Sequence, residues 1–196
     1  MNRQMRDFFD NLAPEWLDVP EEHGVRERLV EMMKLPEGMT ILDIGCGKGV
    51  MEEHLLKCSP QKIIAVDLSE KMIASARQRY NDPRISFLCG DLFDLDLPRA
   101  DVAVFFNAYP HFIDKFALSK RIAALLRPGG VFIICHSRSR DMINGRHDNK
   151  THTPPLFRLS VPLRNAELEA EAFTDNFVLD CCEDTEQLFF IRLIRY

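Results

Sequence analysis

Apolar positions follow two different rhythms along the chain. Phe8, Phe9, Leu12 and Trp16 recur at roughly helical spacing, and Val25, Leu29, Met32 and Met33 do so again. This predicts two helices within residues 1–36, punctuated by Pro14, Pro20 and Pro36. From residue 39 the rhythm changes to short apolar runs alternating with longer mixed stretches. Strands are predicted at 39–44, 62–67, 85–89, 102–106 and 131–135. Helices are predicted at 50–58, from Ser69 and Glu70 onward, and at 112–126, the last stopped by Arg127-Pro128-Gly129-Gly130. The strand runs are apolar almost throughout, as a parallel sheet covered on both faces requires. Strand–helix repetition of this kind implies a doubly wound α/β fold.

The rhythm breaks after residue 136. Residues 137–163 are polar, contain prolines and carry several Arg and His. They are expected to cross the carboxyl edge of the sheet as a long loop, facing either a substrate or solvent. A short helix at 164–172 and two strands at 177–182 and 187–195 follow. The tight connection Glu183-Asp184-Thr185-Glu186 permits only antiparallel pairing of those strands. No repeat or low-complexity segment interrupts the pattern, so one domain over residues 1–196 is expected.

Composition narrows the partners. The net charge is −5 and no long basic run is present, which argues against a partner gripped through nucleic-acid phosphates. The N-terminus lacks an apolar signal core, and no stretch reaches the length of a membrane span. Most of the six cysteines sit inside apolar runs, and Cys181-Cys182 reads as core rather than as a redox pair. These features predict a soluble, reduced, cytoplasmic protein, monomer or homodimer, acting on a small molecule.

The candidate chemistry gathers at strand ends. Gly45, Gly47 and Gly49 follow the first strand and allow positive φ and close approach of a ligand to the backbone. Val50 stands where a dinucleotide fingerprint needs glycine, and Asp43 would repel a pyrophosphate while attracting an ammonium or sulfonium. Asp67 ends the second strand, where it can accept both hydroxyls of a ribose or cap the next helix. Gly90-Asp91-Leu92 offers an acceptor beside a backbone donor, the pair that an adenine edge needs, although Gly-Asp is also ordinary turn chemistry. Three carboxylates on one rim are costly unless something cationic or hydrogen-bonding sits among them.

Residues 40–136 resemble the class I S-adenosylmethionine (SAM)-dependent methyltransferase family. Ile41-Leu42-Asp43-Ile44-Gly45-Cys46-Gly47-Lys48-Gly49 is similar to its first motif and Val66-Asp67-Leu68-Ser69-Glu70-Lys71-Met72 to its second. Gly90-Asp91-Leu92, the segment ending in Phe106-Asn107, and Arg127-Pro128-Gly129-Gly130 follow in the family's order. The resemblance implies a seven-stranded mixed sheet with an antiparallel last strand, and SAM as cofactor with S-adenosylhomocysteine (SAH) as product. It further implies that Gly45, Gly47 and Gly49 line the methionine part, with Asp43 near its amino group. Asp67, Leu68 and Met72 would hold the ribose side, Asp91 and Leu92 the adenine, and Asn107 would close over the sulfonium end.

Methyl transfer needs little beyond in-line positioning, so no catalytic group is compelled. Ala108 and Tyr109 replace the two prolines of the Asn-Pro-Pro-Tyr pattern of base and glutamine methyltransferases, a further argument against a nucleic-acid substrate. Tyr109 and His111 are the candidates for an acceptor-side role; His111 is read as a base, a helix cap or a cofactor contact. Trp16 and His147 are further substrate-side candidates, with residues 1–36 as a helical lid and 137–163 as the substrate-facing loop. His136, His147 and His152 are spaced by 11 and 5 residues, which matches no tight ligand pattern, so no metal is expected. Two alternatives share the cofactor: a transferase moving another part of SAM, and a non-catalytic SAM-binding module.

Overall fold

A computed structural model describes residues 2–16, 23–147 and 159–196. Two helices, α1 (Asn2–Leu12) and α2 (His23–Met33), precede the first strand, and Ala13–Glu15 forms a 3₁₀ turn after α1. The strands are β1 (Thr40–Ile44), β2 (Lys62–Asp67), β3 (Ile85–Cys89), β4 (Ala100–Phe106), β5 (Leu126–His136), β6 (Phe177–Asp184) and β7 (Phe189–Arg195). Between them lie α3 (Glu52–Leu56), α4 (Glu70–Arg79), α5 (Lys115–Leu125), α6 (Arg140–His147) and α7 (Ala166–Ala170). The seven strands form one sheet in the order β3-β2-β1-β4-β5-β7-β6. Pairing is parallel from β3 to β5, and β7 runs antiparallel to both β5 and β6. The expected mixed sheet with a reversed last strand is therefore present.

The continuous apolar runs have the expected cause. Adjacent residues of one strand face opposite sides of the sheet. Leu42, Ile64 and Phe105 pack in one core with Ile122 of α5, whereas Ile41, Ile63 and Val104 pack in the other with Leu29 of α2 and Ile73 of α4. Because β1 to β5 are parallel, their carboxyl ends open on one edge, where Gly45, Asp67, Gly90, Asn107 and His136 lie. Among the described residues no helix is long and apolar enough to cross a membrane.

Several element boundaries differ from expectation. The helix expected at 50–58 is the shorter α3, because Gly47 to Met51 remain in turns. Tyr109–His111 forms a 3₁₀ turn, and α5 starts later, capped by Asp114, whose Oδ1 accepts from Ala117 N at 2.9 Å. Arg127-Pro128-Gly129-Gly130 does not precede β5 but bulges within it: Leu126 pairs with Ala100, and the register resumes at Val131 opposite Val102. In the 137–163 stretch, expected to be a loop, α6 forms over Arg140–His147. Ser139 Oγ accepts from Met142 N at 3.3 Å, the hydroxyl-to-amide contact that starts such a helix. His152 lies outside the described residues. β6 is an edge strand, so Cys181 is exposed, which corrects its assignment to the core, while Cys182 is half-buried and packs against the core.

Candidate active site

The glycine loop turns tightly because three of its glycines adopt left-handed φ, +75° at Gly45, +55° at Gly47 and +79° at Gly49. At Gly45 a Cβ would sit 2.5 Å from the Ala108 Cβ, so β1 and β4 can end side by side only with no side chain there. Gly45 N and Cys46 N donate to Val66 O at 2.8 and 3.1 Å, locking the loop to β2. Asp67 ties the next layer: its carboxylate accepts from Gly47 N and Ser69 N, each at 2.8 Å. Burial raises the Asp67 pKa, and those two amide donors oppose the shift.

A cavity of about 730 Å³ opens over this edge. Gly45, Gly47, Asp67, Leu68, Met72, Asp91, Leu92 and Asn107 all line it, together with Trp16 and His111. Asp91 Oδ1 also accepts from Phe93 N at 3.0 Å, and Arg121 Nε donates to Leu92 O at 2.9 Å, which hold this turn against the wall. Asn107 adopts a left-handed φ of +54°. Its side chain donates to Ser137 Oγ at 3.0 Å and accepts from Ser137 N at 3.1 Å, joining the ends of β4 and β5.

Two residues expected at the cofactor are placed behind the wall. Asp43 is 1% exposed and does not line the cavity. It faces the buried Glu52, and among the described residues none of the four oxygens of the pair makes a well-formed hydrogen bond. Burial, with the charge of Asp67 nearby, pushes Asp43 up to about 7. Glu52 is raised for the same chief reason. Gly49 also lies off the cavity: a Cβ there would meet the Tyr80 ring at 2.9 Å, and Tyr80 donates its hydroxyl to Gly49 O at 2.7 Å.

Tyr109 is the clear correction. It is fully buried and absent from the cavity wall. Its hydroxyl donates to the buried Glu169 at 2.6 Å, while Lys115 Nζ lies 3.3 Å from its ring centroid and donates to its backbone oxygen at 3.0 Å. Burial pushes the Lys115 ammonium down to about 7. His111, two residues on, faces the cavity, with Nδ1 2.9 Å from Leu159 O. A carbonyl oxygen only accepts, so in the neutral ring Nδ1 carries the proton and Nε2 is the basic nitrogen. Asp114, not His111, caps α5. The His147 side chain lies outside the described residues.

The N-terminal helix covers the cavity with Met5, Phe8, Phe9 and Leu12, followed by Glu15 and Trp16. Asp10 Oδ1 accepts from Ser69 Oγ at 2.5 Å and from Lys71 N at 3.1 Å, at the start of α4. Lys48 Nζ donates to Trp16 O at 2.8 Å, and the Phe9 and His111 rings meet edge to face at 5.1 Å. Arg26, His136 and Arg138 also line the cavity; His136 and Arg138 come from the Arg- and His-rich stretch read as facing a substrate or solvent, whereas Arg26 was not singled out. The strand-end rule that found Asp67 and Asp91 extends to His136 and Arg138, at and just beyond the end of β5. Arg26 had no such signal, since it lies on a helix remote in sequence.

A methyltransferase domain family matches residues 41–130. A probable S-adenosylmethionine-dependent methyltransferase of Mycolicibacterium smegmatis is 33% identical over 140 residues, covering 68% of this chain and 53% of the relative. The chain belongs to the class I SAM-dependent methyltransferases. The matched span of this methyltransferase-family chain runs from β1 to the β5 bulge and contains the glycine loop, Asp67, Asp91 and Asn107. A ubiquinone biosynthesis O-methyltransferase of Bradyrhizobium diazoefficiens is 32% identical over 111 residues, covering 55% of this chain and 44% of that protein. The chain thus spans about half the length of the curated relatives it matches. Among solved structures, a DhpI–SAH complex superimposes with a TM-score of 0.78 at 19% identity, covering 99% of this chain and 96% of that one. SAM is the cofactor of this family.

Proposed function

We propose that the chain transfers a methyl group from SAM to a small-molecule acceptor by in-line displacement. The observation that carries this reading is the cavity itself. Its volume of about 730 Å³ lies in the range of small-ligand pockets, and the strand-end residues of the family motifs converge on it. The backbone of Gly45 and Gly47 cradles the methionine part, beside Asn107. Asp67 accepts from the ribose hydroxyls through the lone pairs left by its two amide donors, with Leu68 and Met72 alongside. Asp91 and Leu92 take the adenine edge. Asp43, one layer below, attracts the cofactor's ammonium through the loop rather than by contact.

Beyond the sulfonium the wall is apolar, with Phe9, Phe112, Ile113 and Ile143, and is marked by the polar groups of Glu15, His111, Asp114 and Arg138. An organic acceptor with one ionisable nucleophile suits that lining. Holding nucleophile, methyl and sulfur in line supplies up to about 7–11 kcal/mol of the barrier reduction. His111 Nε2 would take the proton of a hydroxyl or amine acceptor. The named O-methyltransferase among the relatives supports an oxygen acceptor. Residues 1–196 act as one domain in this reading, with residues 1–36 as a lid that keeps water from the sulfonium and Trp16 on the acceptor side. The net charge of −5 supports a small acceptor over nucleic acid, and six free cysteines fit a cytoplasmic site of action, as monomer or homodimer.

Calorimetric titration with SAM and SAH tests the reading. Both are expected to bind in the micromolar range, and Asp67→Ala should weaken both by roughly 10- to 100-fold, the value of about 1.5–3 kcal/mol for hydrogen bonds to a charged group. Failure of the parent chain to bind either molecule would refute it. Labelled SAM offered with phenol, carboxylic acid and amine panels then identifies the acceptor.

A further inference from the structure

Away from the cavity, three side chains converge where α2 begins and α3 runs past it. His23 Nδ1 lies 3.1 Å from Glu53 Oε1, and His54 Nε2 lies 3.2 Å from the same oxygen. One ligand atom from each of the three residues falls within 4.8 Å of the others. None of the three lines the large cavity. We propose that His23, Glu53 and His54 form a zinc-binding site that clips the start of α2 to α3.

Geometry and burial both favour an ion over a purely structural cluster. Tetrahedral zinc with Zn–N and Zn–O distances of about 2.0–2.2 Å sets its ligand atoms about 3.4 Å apart, close to the spacings around Glu53 Oε1. His54 is only 2% exposed, yet among the described residues neither of its ring nitrogens makes a well-formed hydrogen bond. A buried imidazole in that position is costly until something satisfies it. In the cluster as it stands, two imidazoles compete for one carboxylate oxygen. A cation among the three atoms turns that competition into shared coordination. Arg79 Nη2 stands 3.6 Å from Glu53 Oε2 and steadies the second oxygen, which leaves Oε1 directed at the histidines. The His23 and Glu53 side chains are 41% and 36% exposed, so an ion can enter from solvent and keep water in its fourth position. Two imidazoles and one carboxylate are a donor set suited to zinc, with cobalt(II) as a faithful probe.

The site has a place in the architecture. The described part of the cover runs to Trp16, and the chain is next described at His23, the first residue of α2. Glu53 and His54 lie on the helix that follows the glycine loop. An ion here ties the chain segment after the cover to the element that carries the loop. The proposal stands independently of the methyl-transfer reading, since no residue of the cavity takes part.

The chain of residues 1–196, stripped with chelator and titrated with zinc chloride by calorimetry, should bind one equivalent. Saturation should raise its melting temperature by roughly 5–10 °C at an ion concentration about 100 times Kd. Cobalt(II) substitution should show four-coordinate ligand-field bands without a thiolate charge-transfer band. His23→Gln and Glu53→Gln alter partly exposed positions, and their metal-free melting curves check that they fold like the parent. Each should weaken zinc binding at least tenfold while leaving SAH binding unchanged. The proposal is overturned by the absence of a stoichiometric zinc site, or by affinities that survive both substitutions. A thiolate band would also overturn it, because it would place the ion on cysteine, such as Cys58, which shares a surface hollow with His54.

Discussion

Asp43 and Glu52 meet in the interior beneath the glycine loop, and their environment makes protonation part of the site's behaviour. Burial raises the folded-state pKa of Asp43 to about 7, against about 3.9 in an unfolded chain. The folded protein therefore holds a proton that the unfolded chain has released. The stability from this group is complete below pH about 4 and is lost as pH rises towards about 7. Denaturant titrations across that window should show the slope, and Asp43→Asn should reduce it, leaving the part contributed by Glu52 and Asp67, which burial also raises. An ammonium bound above the loop favours the carboxylate, so SAH affinity should rise with pH over the same window. Calorimetry in buffers of different ionisation enthalpy should detect proton release on binding, and Asp43→Asn should diminish it. A second residue-scale contrast separates Tyr109 from His111. Tyr109→Phe removes a hydrogen bond to a buried carboxylate and should cost about 1.5–3 kcal/mol of stability while leaving SAH affinity unchanged. His111→Gln should leave SAH affinity and stability nearly intact and lower turnover by roughly 10²–10⁴-fold if the acceptor must lose a proton. Equal effects of the two substitutions on turnover would contradict their placement on opposite sides of the segment.

At the scale of elements, α1 is held over the cavity by few polar anchors. Asp10 accepts from the hydroxyl that caps α4 and from Lys71 N, so one carboxylate joins cover and sheet layer. Asp10→Ala should cost about 0.5–2 kcal/mol, the usual value of a capping interaction, drawn mainly from the contact between α1 and α4. The expected signature is faster amide exchange in residues 2–16 and faster SAH dissociation, with β1 to β5 protected as before. Stopped-flow displacement of SAH measures the second effect. An unchanged dissociation rate would show that α1 does not gate the cavity. The elements themselves were largely legible in the sequence. Apolar runs located β1 to β4, and the four-residue connection at 183–186 announced the antiparallel β6–β7 pair. α6 was missed because its stretch has no long apolar stripe. Its first turn rests on the Ser139 hydroxyl, while Ile143 turns inward at 6% exposure.

For the whole molecule, cofactor binding and folding are one linked equilibrium. The cavity is bounded by the cover, the carboxyl ends of β1 to β5 with the glycine loop, and the segment after β4, so a ligand there contacts elements distant in sequence. SAH at 100 times its Kd should stabilise the fold by about 2.7 kcal/mol, which raises the melting temperature by roughly 5–10 °C for a chain of this size. Differential scanning calorimetry checks this, and the shift should shrink in Asp67→Ala at the same SAH concentration. The family motifs occupy residues 41–130, but the cavity draws Met5, Phe9 and Trp16 from one side of that span and His136, Arg138 and Ile143 from the other. The cavity wall therefore draws on chain segments beyond the matched region at both ends.

The sequence by itself determined the sheet and the cofactor edge. Strands covered on both faces must be apolar at successive residues, and acids at successive strand ends must share one rim when the strands are parallel. Those are local consequences of backbone geometry, so they can be read along the chain. Side-chain direction in irregular segments is not local. Tyr109 and His111 are two apart on a turn of about three residues, so they point roughly 120° apart, and only packing decides which meets the cavity. Asp43 and Gly49 belong to the motif yet sit behind its wall, because Glu52 and Tyr80 fill the space beneath the loop. Cys181 is exposed because β7 inserts between β5 and β6 and leaves β6 at the edge. His23 meets Glu53 and His54 only because α2 folds back against α3, across 30 residues of chain that no spacing rule connects.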